Sequence, residues 1–184
     1  GGKERGLFPI ESLQTAFSNR LYYRGFVKYA WQYWIPLLSL TTGARPNEIA
    51  QLTREDITFN NDRFFLDIND KNGKSVKTKS SIRKIPVSNR LVELGFKEFV
   101  SSLSIGEGVN IWEGLTADST TGYYSAKISY WFITKFESLG LAREDHEKRV
   151  LDYYSFRHYF ITKAASLNDE DSYKAYVGHS RGSG

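Results

Sequence analysis

The chain has 184 residues, 40% hydrophobic and 15% aromatic, enough for one sizeable core and too apolar for disorder. Its 25 Lys and Arg against 21 Asp and Glu leave a net charge of +4, which favours an anionic partner only weakly. The absence of cysteine excludes disulfides, thiolate metal sites and cysteine nucleophiles, and no stretch approaches the ~20 unbroken apolar residues of a membrane span. No basic-plus-apolar leader is seen, so no secretory signal is expected, and zero cysteine fits the expectation of a cytoplasmic protein. The opening Gly-Gly and the lack of any methionine read as an excised fragment.

The elements follow in chain order. Residues 10–17 read as a short helix. Val27, Ala30, Trp31, Trp34 and Leu38 repeat with a helical period, which predicts a helix over residues 26–41. Pro36 should kink that helix or mark a junction of two, and Gly43 should end it. Pro46 suits the first turn of another short helix over residues 46–52. Residues 56–60 and 63–69 read as strands joined at Asn60-Asn61-Asp62. A third strand is predicted over residues 82–87, reached through residues 71–81, where Asn72-Gly73 signals a turn. Val92, Phe96, Phe99, Val100 and Leu103 predict a helix over residues 89–102. Residues 106–121 read as a polar loop containing glycine. Ile128, Trp131, Phe132, Phe136 and Leu139 mark the next helix, and residues 143–149 a charged connection. Phe156, Phe160, Ile161, Ala164 and Leu167 mark another helix, and residues 169–177 a last short one. The sum is an α+β class: a mainly helical domain with a small three-stranded antiparallel sheet.

Charge is unevenly spread. Lys71, Lys74, Lys77, Lys79, Arg83 and Lys84 crowd one stretch, while Asp169, Glu170 and Asp171 lie elsewhere. Arg45 falls in the turn between two predicted helices, where a rigid base can aim a guanidinium at phosphate oxygens; alone, it reads equally as a surface arginine. Arg157 projects from a helix anchored by Phe156 and Phe160, and taken alone is an ordinary helix-surface residue. His179 follows Gly178, and a lone Gly-His pair is most often structural. Lys77 and Lys79 precede the third strand, where a lysine can donate a proton to a departing oxygen or simply solubilise a turn. Glu48 lies one helical turn beyond Arg45 and could buttress it.

Four segments together say more than these parts. They are residues 41–52 (TTGARPNEIAQL), 77–86 (KTKSSIRKIP), 153–162 (YYSFRHYFIT) and 177–180 (VGHS). In this order and spacing they resemble the catalytic domain of tyrosine recombinases of the phage-integrase type, from about Phe8 to the end. The first resembles the family's arginine box, the second its β-hairpin lysine segment, the third its His-x-x-Arg box and the fourth its Leu-Gly-His-Ser segment.

The resemblance implies site-specific DNA recombination without metal or nucleotide cofactor: a tyrosine attacks a phosphodiester, forms a 3′-phosphotyrosyl bond and releases a 5′-hydroxyl. Arg45 and Arg157 would clamp the non-bridging oxygens, and His179 would donate to one of them. Lys77 would protonate the leaving oxygen, with Lys79 the alternative, and Glu48 would orient the group. Lys71, Lys74, Lys79, Arg83 and Lys84 would contact double-stranded DNA at attachment sites. Two departures stand out. Tyr154 occupies the usual histidine position, where a phenol with a pKa near ~10 is a poor base. Tyr173 and Tyr176 precede His179, whereas the family's nucleophile follows it, so the fragment is expected to lack the nucleophile and to be inactive by itself. The family's N-terminal core-binding domain is likewise expected to be missing from this fragment. The resemblance further implies a tetramer on DNA for the full-length protein, a monomeric fragment and no membrane partner. A type IB topoisomerase, a catalytically inactive DNA-binding or assembly module, and a structural module without a DNA role are the competing readings.

Overall fold

The computed structural model describes residues 4–18 and 27–167. Its first long helix, α2 (Ala30–Thr42), follows the short α1 (Ile10–Ser18) and is buried on nearly every side. A helix apolar around its whole circumference belongs in the middle of a core; Trp31, Trp34, Ile35 and Leu38 are all buried. Pro36 lies within the continuous helix and does not divide it in two. Gly43 ends α2 in the left-handed conformation (φ 67°), and its N–H donates to the Ser39 carbonyl. Two residues later Pro46 opens α3 (Pro46–Ala50), with Arg45 at its N-cap.

A 3-10 turn (Arg54–Asp56) leads into β1 (Ile57–Asn60), which pairs antiparallel with β2 (Arg63–Ile68). Asn61 and Asp62 both take positive φ at the hairpin turn, the backbone that a tight two-residue hairpin requires. β3 (Arg83–Pro86) pairs antiparallel with β2, with Leu66 opposite Ile85, so the sheet order is β1-β2-β3. Leu66 and Ile85 point inward and are fully buried.

The helix predicted over residues 89–102 is two: α4 (Asn89–Glu93) and α5 (Phe96–Ser101). Gly95 takes φ 99° between them, which ends one helix and re-aims the next. Re-aiming brings Phe96 and Phe99 against Trp34, and Phe99 stacks on Trp112. The loop over residues 106–121 is less polar in role than in composition, for Ile111, Trp112 and Leu115 are buried. It also caps the end of α3: Trp112 Nε1 donates to the Ile49 carbonyl, Asn110 Nδ2 to that of Ala50, and Ile111 N–H to that of Leu52.

α6 (Ser125–Ser138) and α7 (Tyr154–Leu167) complete the described elements. Phe132, Tyr153 and Phe156 meet edge to face beneath them. Burial raises the Tyr153 phenol well above its usual value, and the hydroxyl is satisfied by Ser39 and the Ile35 carbonyl. α7 packs on α2, which brings the last described helix beside the turn at Gly43. No helix among the described residues is long and apolar enough to cross a membrane. The predicted helix over residues 169–177, and His179 with it, lie outside the described residues.

Candidate active site

The turn at Gly43 sets the geometry. A Cβ built on Gly43 would lie 2.3 Å from Phe160 Cδ1, so only glycine lets α7 dock this closely. The Gly43 carbonyl in turn accepts a 2.6 Å hydrogen bond from Arg157 Nη1. One residue thereby reverses the chain toward Arg45, admits Phe160 and fixes Arg157.

Arg45 is held next. Its Nη1 donates to Glu48 Oε1 at 3.0 Å and to Ser81 Oγ at 3.2 Å. The Glu48 side chain is only 3% exposed, and its second oxygen, Oε2, accepts from Arg83 Nη1 at 2.7 Å. Arg83 Nη1 also donates to the Ser81 carbonyl at 2.5 Å. Arg45 and Arg83 therefore share one carboxylate and one serine. Burial first, and then the Arg45 charge, lower the Arg157 guanidinium to about 10; Glu48 pulls the other way. It stays a cation at neutral pH. Three guanidinium groups around one carboxylate leave a concentrated positive charge, which an anion would neutralise.

The β2–β3 connection is pinned at intervals. Lys74 Nζ reaches Asp56 and Asn69. Gln51 grips the backbone of Ser75 from both sides, accepting its N–H at 2.8 Å and donating to its carbonyl at 3.0 Å. Ser81 is fully buried against Arg45 and Arg83. Between these anchors residues 77–80 are exposed, carrying Lys77 and Lys79.

Arg45, Glu48, Lys77 and Tyr154 line one cavity of about 380 Å³, walled on the far side by Tyr123 and Ser125 at the start of α6. Arg157 sits behind it, close enough for its charge to couple to Arg45, Glu48 and Tyr154. Lys79 instead opens a 3-10 turn (Lys79–Ser81) and does not line this cavity. His158 is exposed and does not line it either. Tyr154 is 38% exposed, with the Arg5 guanidinium 5.2 Å from its ring centre.

Two residues expected to face DNA are turned inward. The Arg83 side chain is 7% exposed and paired with Glu48; the Lys74 side chain is 11% exposed and paired with Asp56. Each buried carboxylate needs a cation beside it, and these are the nearest that the loop supplies. Lys71 and Lys84 are exposed. Ser81, Gln51 and Tyr123 carry parts of this arrangement that the motif reading did not single out. Ser81 lies inside the lysine segment and Gln51 inside the arginine box, so both were within reach. Nothing in the sequence marks Tyr123.

Solved structures of the same fold decide the architecture. The XerH site-specific recombinase bound to its difH substrate superposes with a TM-score of 0.62 at 16% identity, covering 96% of this chain and 48% of that one. The XerA recombinase gives 0.63 at 13%, over 98% and 57%. The Tn1549 transposon integrase in complex with transposon right end DNA gives 0.62 at 20%, over 98% and 59%. The chain has the tyrosine recombinase fold. No family model and no curated protein matches the sequence. The chain spans about half the length of the recombinases it superposes on. Within the recombinase fold, the cavity is built by α3, the β2–β3 connection and the starts of α6 and α7.

Proposed function

We propose that this chain belongs to the catalytic domain of a tyrosine recombinase and that its cavity holds the phosphate at which DNA is cut and rejoined. One observation carries the reading: Arg45, Glu48, Lys77 and Tyr154, drawn from three separated segments, line a single cavity with Arg157 behind it. The fold it shares with recombinases and integrases, several solved on DNA, supports the same reading.

The mechanism follows from the donors present. Arg45 and Arg157 clamp the non-bridging oxygens of the scissile phosphate and offset the charge that grows as the phosphorus becomes five-coordinate. The resemblance assigns His179, outside the described residues, as a further donor to one of those oxygens. Lys77, at the cavity, gives its proton to the leaving 5′-oxygen, and the cavity lining favours it over Lys79 for this part. Glu48 keeps Arg45 in place. Tyr154 lends a hydroxyl where histidine is usual, as a hydrogen-bonding group and not as a base. The attack needs a tyrosine after His179, which the resemblance locates beyond Gly184. The product is a 3′-phosphotyrosyl bond, resolved by a 5′-hydroxyl of a partner duplex within a tetramer on paired sites.

Covalent trapping tests this. The full-length protein carrying this chain is offered nicked duplex DNA bearing the candidate attachment site, and a denaturing gel is read for a protein–DNA adduct. An adduct that disappears with Arg45→Ala supports recombinase chemistry. Relaxation of supercoils without strand exchange would point instead to a type IB topoisomerase. Duplex binding with no adduct on any candidate site would favour an inactive DNA-binding module, the reading that Tyr154 in the cavity motivates.

A further inference from the structure

We propose that Arg83 is a positioning residue for the phosphate site: it occupies one oxygen of the Glu48 carboxylate, so that Glu48 steadies Arg45 without neutralising it. The inference rests on the phosphate-site reading above.

The geometry has two arms. Glu48 divides its oxygens, Oε1 to Arg45 at 3.0 Å and Oε2 to Arg83 at 2.7 Å. Ser81 divides likewise, its hydroxyl to Arg45 and its carbonyl to Arg83. Both guanidinium contacts to Glu48 run through Nη1. A carboxylate left alone with one arginine prefers to take it bidentately, with two parallel N–H···O bonds. In that arrangement the Arg45 fork would be spent on Glu48, and its charge largely cancelled. The shorter contact belongs to Arg83, which holds the carboxylate at its far oxygen. Arg83 touches no cavity surface itself; it acts through Glu48. The same contacts tie β3 to α3, so the segment that carries Lys77 is fixed relative to Arg45.

The test uses the full-length protein and inorganic phosphate as probe, with affinity read from the arginine Nε–H resonances. Arg83→Met is expected to weaken phosphate binding roughly tenfold, the size of one lost charge-assisted contact. Adding Glu48→Gln should then recover much of that loss, because an amide cannot cancel Arg45. In the unsubstituted background Glu48→Gln should weaken binding. This reversal of sign between backgrounds is what a merely structural Arg83 would not produce. Equal affinity in Arg83→Met and the unsubstituted protein, or Glu48→Gln acting with one sign in both, overturns the proposal. Should Arg83→Met not fold, Arg83→Lys takes its place. Lysine presents a point charge in place of a fork, so a smaller loss with the same reversal is expected, and unchanged affinity overturns it. If the unsubstituted protein binds no phosphate, the site reading itself fails and the role of Arg83 falls with it.

Discussion

Lys77 and Lys79 are two residues apart, both exposed, and separated by function only through what holds the loop between them. Gln51 pins Ser75 on one side and Arg45 engages Ser81 on the other, and of the two lysines in that span Lys77 lines the cavity and Lys79 does not. Lys77→Ala is therefore expected to lower cleavage by about 10²–10⁴-fold, the range for losing a general acid. Lys79→Ala should leave cleavage within a few-fold. Trapping rates on nicked DNA, compared for the two variants, check this, and an unaffected Lys77→Ala would remove lysine from the proposed mechanism. Arg157 supplies a second expectation at this scale. Burial and the neighbouring Arg45 depress its affinity for a proton, to about 10. Because folding lowers the pKa of this base, the cost to stability is complete below about pH 10 and lifts only as pH rises toward the unfolded value. At neutral pH a bound anion relieves that cost instead. Phosphate or sulfate should thus raise the melting temperature, at about 2–4 °C per kcal/mol for a chain of this size. Arg157→Met should abolish most of the increase, which differential scanning fluorimetry across anion concentrations would show.

Two connections between elements govern where those residues sit. The α2–α3 turn depends on Gly43, where positive φ and the approach of Phe160 both exclude a side chain. Gly43→Ala should cost about 3 kcal/mol, from left-handed backbone strain plus overpacking. Adding Phe160→Leu should recover the packing part only, as urea denaturation of the two variants would resolve. The second connection runs from β2 through Asn69, Lys71 and Lys74, and it is organised by Asp56. Burial pushes that carboxyl up, but hydrogen bonds from the Thr53 backbone, Asn69, the Thr53 hydroxyl and Lys74 outweigh it, and its pKa is lowered. A lowered acid contributes stability that is complete above its unfolded pKa of about 3.9 and is lost as pH falls through the folded value. Asp56→Asn should cost about 3 kcal/mol at pH 7, chiefly because Lys74 loses its charged partner and keeps only Asn69. The gap from the unsubstituted protein should narrow steadily below about pH 4. Paired denaturation curves at pH 7 and pH 3 measure both numbers.

Across the molecule, what was legible in the sequence is what rests on local pattern. The period of α2 from Ala30 onward, the Asn61-Asp62 hairpin and the cap at Gly43 stand where the residues alone put them, although α2 begins at Ala30 and leaves Val27 of the predicted period outside it. What was not legible depends on partners distant in sequence. Gly95 divides α4 from α5 because Phe96 and Phe99 are drawn to Trp34, a contact no local period reports. Trp112 reads as part of a polar loop until the end of α3 claims its indole. Arg83 and Lys74 look like surface cations in a basic run until Glu48 and Asp56 are found buried beside them. That last difference changes what the basic stretch can do for DNA binding. Of its six cations two are committed to internal pairs, while Lys71, Lys77, Lys79 and Lys84 are exposed. Each exposed lysine that neutralises a phosphate releases counterions, so the logarithm of the binding constant falls by about 0.9 per decade of salt for each contact. Replacing Lys71 and Lys84 with alanine should therefore flatten the salt dependence by up to about 2 in slope and weaken binding alike across sequences. Lys74→Ala and Arg83→Ala should instead leave the slope nearly unchanged and lower stability. Fluorescence anisotropy of a labelled duplex over a salt series, run beside thermal melts, separates the two groups. A slope that falls with Lys74→Ala or Arg83→Ala while the melts hold steady would mean that these side chains leave their carboxylates for the DNA backbone.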